Sequence, residues 1–550
     1  MRCAVNSFAS LLMSKPALLR VLNALAVLSM TSTGGNVFAQ SPAAATTTQS
    51  FSILEYRVLG NTVLDVRSVE KAVTPFLGPN RSFTDVEGAR TALEAAYHDH
   101  GFGTVFVDIP EQTVDDGIVR LRATEGRLHA ATVSGAQYYS ERQIKNAIPA
   151  ASTGTVPDLN ALQTQIGAVN AQAPDRSITP VLKAGPTPGT VDLALTVDDH
   201  LPFHGSLELN NQYTPNTKPL RLVGYVSYDN LFGALHSLSM QYQSAPQATK
   251  EAGVFAAGYV APLPTGKLSV TYIHSSSDVT TVSSLGVIGK GSIYGLHYDY
   301  PVTATPQLLE DLTLGVDYKR FAQDAGTVKS PIAYADLSMV YAGTWITQPR
   351  TVTWSTGPSF SVRGVGSSAQ DFANKCYLCR QNYFVFHADG SVTEHVNKGM
   401  DLVARLAAQY SATPLISNEQ FLVGGAQTVR GYYEAESLGD RGVRGMIEAR
   451  APSLFSSPRF HAVPYAFLDA GDISYVAPLP GQPPSIFLAS TGAGLSLDLW
   501  THMVGNLTFA HALRTTSESQ PANGDTAAAL VPPHTRAGDN RWLFTIKGVW

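Results

Sequence analysis

The sequence predicts a membrane-spanning all-β barrel of about sixteen antiparallel strands, preceded by two small α+β domains. Three observations lead to this prediction. Charged residues make up 15% of the 550 residues, well below the roughly 25% of ordinary soluble domains. Short segments in which polar and apolar residues alternate fill the chain beyond residue 199. Before that point, the order strand, helix, helix, strand, strand occurs twice.

The N-terminus has the features of an export signal. Basic residues precede an apolar run at residues 21–30, and Val37-Phe38-Ala39 has small residues at the two positions that matter for cleavage after Ala39. We therefore expect residues 1–39 to be a signal peptide, followed by a short flexible leader at residues 40–50. The alternative is a buried N-terminal helix, which we favour less.

Residues 51–127 and 128–199 are predicted to be two copies of one small βααββ domain. In the first copy the strands are "FSILEYRVLGN", "GTVFVDI" and "GIVRLRATEG", and the helices are "DVRSVEKAVTPF" and "TDVEGARTALEAAYHDHG". In the second copy they are "LHAATVSGA", "ITPVLKAG" and "TVDLALTVDD", with helices in "SERQIKNAI" and "DLNALQTQIGAVN". Each copy should be a sheet with helices on one face.

Two finer predictions concern the helices of the first copy. Thr84 and Glu87 have the spacing of a capping box that begins the second helix. In the first helix the periodicity places four apolar residues on one buried face. These are Val66, Val69, Val73 and Phe76.

Residues 200–550 have the pattern of barrel strands. In "HSLSMQYQ", Leu238, Met240 and Tyr242 alternate with polar residues, as expected for a lipid face and a lumen face. Beyond the signal peptide, no segment reaches the ~18 consecutive apolar residues of a membrane helix. A closed barrel is the other structure that satisfies every backbone polar group in lipid. The alternative is a pair of soluble β-sandwich domains.

The last strand, "RWLFTIKGVW", places apolar residues on one face and ends the chain on an aromatic residue. Phe544, Ile546 and Trp550 share that face with Trp542. We interpret Phe544, Ile546 and Trp550 as a C-terminal signal for assembly of the barrel into its membrane.

Two motifs in the C-terminal third carry a family resemblance. One is Val429-Arg430-Gly431-Tyr432 in the glycine-rich segment "VGGAQTVRGYYEAESLGDRG", and the other is Phe467-Leu468-Asp469-Ala470-Gly471. With the two small repeats ahead of a barrel, they resemble the ShlB/FhaC/HecB haemolysin secretion and activation proteins. These are the outer-membrane transporters of two-partner secretion, within the Omp85 superfamily. The resemblance covers nearly all of the chain beyond the signal peptide.

The resemblance implies a sixteen-stranded barrel, two periplasmic POTRA domains, and a long loop whose tip (Val429, Arg430, Gly431, Tyr432) folds into the lumen. Arg430 is then expected to pair with Asp469, which points inward together with Phe467 and Gly471. Some members of the family also begin with a helix that plugs the pore. The leader at residues 40–50 is short for such a helix, so we expect none.

The chemistry of these residue types is consistent with that pairing, although the residues alone leave other partners open. A guanidinium is always charged, and in a shielded lumen it requires a carboxylate, which it can bind through two parallel hydrogen bonds. Glycine at position 431 allows either a close backbone approach or a positive φ. A solvated loop arginine that pairs locally with Glu434, Glu436 or Asp440 is the alternative.

We predict no cofactor, no metal site and no catalytic residues. The formal net charge of −5 gives no reason to expect nucleic acid, which usually requires a basic face. Cys376 and Cys379 are predicted to form a small loop disulfide in an oxidising compartment rather than a redox motif. His98-Asp99-His100 could suggest a metal site, but it lies at a helix end, where histidine is common and solvated.

The resemblance implies a transporter in the bacterial outer membrane and no enzyme. Its POTRA domains would capture a large unfolded exoprotein, such as a haemolysin or an adhesin, and the barrel would pass it to the cell surface. Further expected partners are the lipid bilayer and, during biogenesis, the barrel-assembly machinery and periplasmic chaperones. The alternatives are an Omp85-type insertase, a barrel-tethered enzyme and a passive porin.

Overall fold

The computed structural model of the 550-residue chain describes residues 50–114, 116–215, 217–249, 252–276, 281–282, 287–288, 290–322, 324–325, 328–329, 331–396, 399–455, 457, 459–480, 482–516 and 535–550. The predicted signal peptide and the leader up to residue 49 lie outside these residues. The prediction that the leader forms no plug helix therefore also concerns residues outside the described part of the chain. The chain divides into two compact units, one ending at Pro202 and the other running Phe203–Trp550. Among the described residues, no helix is both long and apolar enough to cross a membrane.

The N-terminal unit contains two small domains. The strands of the first are β1 (Phe51–Ile53), β2 (Glu55–Leu59), β3 (Gly78–Arg81), β4 (Val105–Asp108) and β5 (Ile118–Glu125), and its helices are α1 (Val66–Val73) and α2 (Phe83–Asp99). The strands of the second are β6 (Arg127–Ser134), β7 (Arg176–Ala184) and β8 (Thr190–Asp199), and its helices are α3 (Glu141–Ala147) and α4 (Leu159–Gln172). Short 3₁₀ helices follow α1 at Thr74–Phe76 and α3 at Pro149–Ala151.

Both domains have the same sheet topology. The strand order is β2-β5-β4 in the first domain and β6-β8-β7 in the second. In each sheet the first strand runs parallel to the central one and the remaining strand runs antiparallel to it. The first domain adds a two-stranded sheet of β1 and β3. Strands β4 and β7 are therefore the corresponding edge strands of two equivalent sheets.

Two predicted details of the helices are wrong. The residues that cap α2 are Ser82 and Asp85, and not Thr84 and Glu87: the Asp85 carboxylate accepts hydrogen bonds from the backbone N–H and the hydroxyl of Ser82, both at 2.8 Å. The helix begins at residue 83, so residue 84 already lies in its first turn. The predicted apolar face of α1 also fails at Val66, which is 69% exposed because it lies at the first position of the helix.

The first domain has a continuous apolar core between α2 and its sheet. The buried side of α2 is formed by Val86, Ala89, Leu93 and Tyr97. Val156 of the second domain packs against the same core. The buried carboxylate of Glu125, at the end of β5, accepts hydrogen bonds from the backbone N–H groups of residues 62 and 63 in the loop after β2. This carboxylate fixes the connection between β2 and α1.

The second unit is a closed barrel. Sixteen strands of the described residues close it, each pairing antiparallel with the next in the chain and the last with the first. They are β9 (Phe203–Asn210), β10 (Arg221–Leu231), β11 (His236–Ser244), β12 (Gly253–Leu263), β13 (Gly266–Ser275), β16 (Lys290–Ala304), β17 (Leu308–Ala322), β20 (Ile332–Ile346), β21 (Arg350–Gly366), β22 (Phe384–Val396), β23 (Met400–Ser411), β26 (Arg441–Arg450), β27 (Phe460–Ser474), β28 (Ser485–Leu499), β29 (Met503–Ala512) and β30 (Asn540–Val549).

Smaller elements lie in the connections at one end of the barrel. Two-residue strands pair as β14 (Thr281–Val282) with β15 (Val287–Ile288) and as β18 (Asp324–Ala325) with β19 (Val328–Lys329). A longer hairpin consists of β24 (Phe421–Val423) and β25 (Ser437–Gly439), preceded by a 3₁₀ helix at Ser417–Glu419. One helix, α5 (Ala369–Lys375), lies between β21 and β22.

Alternation along the strands separates an outer face from an inner face. On β11, Met240 is 42% and Tyr242 is 53% exposed, whereas Gln243 is 8% exposed. On β27, Leu468 is 58% exposed, whereas Asp469 is 2% exposed. Apolar side chains on the outside and buried polar side chains on the inside are the arrangement of a membrane barrel.

The barrel closes between its first and last strands. Val549 lies opposite Ser206, and Thr545 lies opposite Asn210. Beyond the last strand position, the backbone groups of Trp550 and Gly205 exchange hydrogen bonds of 3.0 Å. A Cβ at position 205 would lie 2.3 Å from the ring of Trp550. The chain-terminal aromatic side chain therefore covers a glycine of β9 and joins the two ends of the sheet.

Candidate functional site

A loop that returns into the barrel forms the candidate site. Residues 412–440, called here the long loop, connect β23 to β26 and contain the β24–β25 hairpin. Val423 and Val429 of this loop are fully buried and pack with Ile473 of β27 and Leu488 of β28. Since these wall residues belong to the inner face, the long loop lies in the lumen against the wall formed by β26–β29.

The tip of the long loop is held by a buried arginine. Nε of Arg430 donates to Oδ2 of Asp469 and its Nη2 donates to Oδ1, each at 2.8 Å. The backbone N–H of Arg430 donates to the same carboxylate at 3.0 Å. Arg430 is 7% and Asp469 2% exposed. The bidentate geometry fixes the orientation of the tip as well as its position.

A second carboxylate, which lies outside both sequence motifs, completes this cluster. Nη1 of Arg430 donates to Oε2 of Glu448 at 2.7 Å, and the other oxygen of Glu448 accepts from Arg450 at 2.9 Å. Glu448 lies directly opposite Phe467 across β26 and β27. Its position on the inward side of β26 was readable from strand alternation. We call Arg430, Asp469 and Glu448 the tip anchor.

Phe467 also contacts the arginine. The guanidinium carbon of Arg430 lies 3.4 Å from the centre of the Phe467 ring, within the distance of a cation–π contact. Its charge is thus bound in-plane by two carboxylates and covered on one face by an aromatic ring. Each of these groups comes from β26 or β27, so the binding site for the Arg430 side chain is built on two adjacent strands.

Two glycines of the motifs serve different purposes. Gly431 has φ +95°, and a Cβ there would meet its first neighbour only at 3.5 Å. Its requirement is therefore conformational, because this backbone region is unfavourable for other residues. At Gly471 a Cβ would lie 2.3 Å from Cγ1 of Val423 and 3.2 Å from Cγ2 of Val429. Its requirement is space, because the hairpin packs onto the bare backbone of β27.

Tyr432 connects the tip to the neighbouring strands. The residue is 1% exposed. Its hydroxyl oxygen lies 2.9 Å from the carbonyl oxygen of Ala489 and 2.8 Å from that of Arg514, and it accepts from the backbone N–H of Arg514 at 3.2 Å. The side chain is thus buried in the wall while its polar end is satisfied.

The three acidic residues near the motif support the loop backbone. Glu434 accepts from the backbone N–H of Ala426 at 2.7 Å, and Glu436 accepts from that of Tyr433 at 2.7 Å. Asp440 accepts from the backbone N–H groups of residues 415 and 476 at 2.9 and 2.8 Å. The local alternatives to Asp469 are therefore bound to backbone donors, and they shape the loop around the arginine.

The other residues singled out in the sequence lie elsewhere. Cys376 and Cys379 are joined by a disulfide directly after α5. Phe544 and Ile546 lie on β30 with Trp550 just beyond it, and Ile546 and Trp550 are exposed on the outer face. The ring nitrogens of His98 and His100 contact backbone carbonyl groups. His98 contacts the carbonyl of Val105, and His100 contacts the carbonyl of Ala96.

Comparison with known proteins assigns the chain to a family. The sequence profile of the haemolysin secretion/activation proteins ShlB/FhaC/HecB matches residues 189–497, which is more than half of the chain. The chain belongs to this family. The profile of the ShlB-type POTRA domain matches residues 51–126.

Individual relatives and solved structures agree with this assignment. The chain is 25% identical over 407 residues to the outer membrane transporter CdiB of Dickeya dadantii, covering 71% of each chain. It is 20% identical over 443 residues to the heme/hemopexin transporter protein HuxB of Haemophilus influenzae, covering 74% of each. The solved structure of CdiB from Escherichia coli has the same fold, with a TM-score of 0.65, 20% identity and 93% of each chain covered. CdiB from Acinetobacter baumannii matches with a TM-score of 0.57 and 15% identity, over 100% of this chain and 96% of that one.

The family places the site in a cellular context. The barrel is an outer-membrane transporter of two-partner secretion, and in this family the N-terminal POTRA domains are periplasmic. The family also implies a secreted exoprotein as the partner. Since β9 follows the N-terminal unit directly, the barrel end at which β9 begins is the periplasmic end. The long loop therefore starts and ends at the extracellular end.

Proposed function

We propose that this transporter captures its unfolded exoprotein at the edge of a POTRA sheet and passes it through a lumen that the long loop closes. The tip anchor holds the loop across the path, and the loop must leave the wall before an extended chain can pass. The observation that carries this proposal is the buried, bidentate pairing of Arg430 with Asp469 inside the barrel. We assign the chain no enzymatic activity, in keeping with a transporter family.

The edge strand β7 supports capture by strand addition. Residues 179–184 of β7 are exposed on both faces, and β7 lies at the edge of its sheet. Val181 and Leu182 are 41% and 37% exposed. An edge of this kind can pair with an extended peptide through backbone hydrogen bonds, which require little sequence specificity. An unfolded client of variable sequence can bind in this way.

A groove beside β7 provides room for the side chains of such a peptide. Its volume is about 370 Å³, and it lies between the two small domains, with Phe106 of β4 on one side and Leu182 and Lys183 of β7 on the other. Phe106 is 64% exposed. An exposed aromatic side chain next to a free strand edge offers an apolar contact to alternate residues of an added strand.

A crosslinking experiment tests the capture step. A photoreactive phenylalanine analogue replaces Leu182 in the full chain, and the probe is the unfolded N-terminal secretion domain of a two-partner exoprotein. In the matched control variant, the analogue instead replaces Arg142, an exposed residue on α3. We expect crosslinks from position 182 and few from position 142. Equal yields from both positions would contradict capture at β7.

A second proposal concerns biogenesis. We infer that Phe544, Ile546 and Trp550 are recognised by the barrel-assembly machinery, after periplasmic chaperones have delivered the chain. The exposed apolar face of β30 and the contact between Trp550 and Gly205 support this inference. A variant lacking Trp550 should accumulate in the periplasm in unassembled form, and normal amounts in the outer membrane would contradict it.

An Omp85-type insertase is the alternative that the fold favours most. BamA from Haemophilus ducreyi, lacking POTRA domains 1–3, matches with a TM-score of 0.54 at 12% identity, over 91% of this chain and 100% of that one. Deletion of the gene separates the two functions. Loss of exoprotein secretion with unchanged amounts of other barrel proteins supports transport, whereas a general loss of barrel proteins supports insertion.

A further inference from the structure

A second buried ionic cluster holds the other end of the long loop. Nζ of Lys319 on β17 donates to Oε1 of Glu419 at 2.7 Å and to Oδ2 of Asp336 on β20 at 3.3 Å. Glu419 belongs to the 3₁₀ helix that leads into the β24–β25 hairpin. The side chains of Lys319, Glu419 and Asp336 are 13%, 10% and 6% exposed. We call these three residues the root anchor.

Both carboxylates of the root anchor have a second donor. The hydroxyl of Tyr334 donates to Oε1 of Glu419, and that of Tyr383 donates to Asp336 at 3.4 Å. The ammonium of Lys319 also lies 5.8 Å from the centre of the Tyr334 ring. Burying charged groups is costly unless they are paired and hydrogen-bonded. This pocket provides both conditions for a carboxylate that arrives from a loop.

Apolar packing surrounds the same point. Leu415 and Ile416, which precede Glu419 in the long loop, are 2% and 1% exposed. They belong to one buried cluster with Tyr334, Tyr383 and Phe372 of α5. The segment that enters the hairpin is thus seated on the wall by apolar contacts, and the ion pair fixes its register there.

The two anchors lie on different sectors of the wall. The root anchor uses β17 and β20, the tip anchor uses β26 and β27, and β21, β22 and β23 lie between them. Between Glu419 and Arg430 the chain therefore crosses part of the lumen with both ends bound. A loop fixed at one point could rotate about it, whereas a loop fixed at two separated points leaves the path only when both contacts break, so each contact adds to the free energy of opening.

We propose that Lys319 is a positioning residue for the long loop, and that opening of the lumen requires the root anchor to break in addition to the tip anchor. This inference rests on the proposed function, in which the long loop closes the lumen. It assigns a role in closure to Lys319, Asp336 and Glu419. No contact between the exoprotein and Lys319 is required.

Single-channel recording of the full chain in planar lipid bilayers tests the inference without any client. The variants are Lys319→Met, Lys319→Glu and the exchanged pair Lys319→Glu/Glu419→Lys, each also combined with Arg430→Ala. Lys267→Met is the control, because Lys267 is exposed and lies near the start of β13, at the end of the barrel opposite to Lys319. Gel electrophoresis verifies that each barrel is folded, because the band of a folded barrel shifts upward when the sample is heated.

We expect Lys319→Met to raise the open fraction at least about tenfold, in the wild-type or the Arg430→Ala background, and the control to leave it unchanged. Lys319→Glu should raise it further, and the exchanged pair should restore closure, because one ammonium again lies between two carboxylates. A loss of packing alone would not be reversed by exchanging charges. If Lys319→Met does not fold, Tyr334→Phe removes one donor to Glu419 and should raise the open fraction by a few-fold.

Two results overturn the inference. One is an unchanged open fraction for folded Lys319→Met in both backgrounds, and the other is an exchanged pair no more closed than Lys319→Glu. If Arg430→Ala opens the channel and the Lys319 variants do not, this inference alone fails. If Arg430→Ala also leaves the channel closed, the proposed role of the long loop fails.

Discussion

Replacement of Arg430 by alanine is the most direct test of the tip anchor. The substitution removes three side-chain hydrogen bonds to two carboxylates. Asp469 and Glu448, which are 2% and 5% exposed in the closed state, would lose the charge that compensates them. Breaking a buried ion pair from one side typically costs about 3–5 kcal/mol.

The structure favours the lower end of that range. Asp469 keeps the backbone N–H at position 430, and Glu448 keeps Arg450. A cost of about 3 kcal/mol shifts the equilibrium between the bound and released loop by on the order of 10²-fold, since 1.36 kcal/mol corresponds to tenfold. Release should follow, because water then hydrates both carboxylates.

Two measurements on the folded barrel detect release of the long loop. The open fraction in planar bilayers should rise, and chymotrypsin should cleave after Tyr432, which is 1% exposed in the closed loop. The control is Arg350→Ala, which removes an arginine–glutamate pair whose side chains are 50% and 30% exposed. An exposed pair contributes little. A folded Arg430→Ala barrel with wild-type conductance and a protected Tyr432 would refute the reasoning.

Three further substitutions test the supporting contacts. Gly471→Ala places a Cβ 2.3 Å from Val423, so it should weaken loop binding by about 1–3 kcal/mol and increase the open fraction in planar bilayers. Gly205→Val displaces the ring of Trp550, and should lower the heat-modifiable fraction of the barrel on gels. Tyr97→Phe removes a 2.8 Å hydrogen bond to Asn61, and should cost the first POTRA domain about 1 kcal/mol, measured by hydrogen exchange of α2 in urea.

The barrel glycines have a matched control. A Cβ at Gly224 of β10 meets nothing within 4 Å, so Gly224→Ala should affect neither conductance nor assembly. If it reproduces the effect of Gly471→Ala or Gly205→Val, the effects come from strand propensity rather than from the contacts named. Unchanged protection of α2 in Tyr97→Phe would mean that this hydrogen bond contributes nothing measurable.

Much of the fold could be predicted because it depends on local patterns. Alternation with period two identifies both faces of a strand, whereas the inward position of Asp469 and Phe467 was implied by the family resemblance. The helices of the small domains follow from apolar periodicity, but their exact starts do not. The capping box was misplaced by two residues, since Ser82-Asp85 and Thr84-Glu87 have the same spacing and only the backbone geometry distinguishes them.

By itself, the sequence determined the fold class, the family and which face each strand residue occupies, because these depend on periodicity and on short motifs. Only the tertiary structure decided which charges meet. Glu448 joins Arg430 because the long loop folds back into the lumen, where its tip meets the inner faces of β26 and β27. Lys319 and Glu419 are 100 residues apart, and no local pattern connects them. Their pairing depends on where a closed sheet of sixteen strands returns the long loop to its wall.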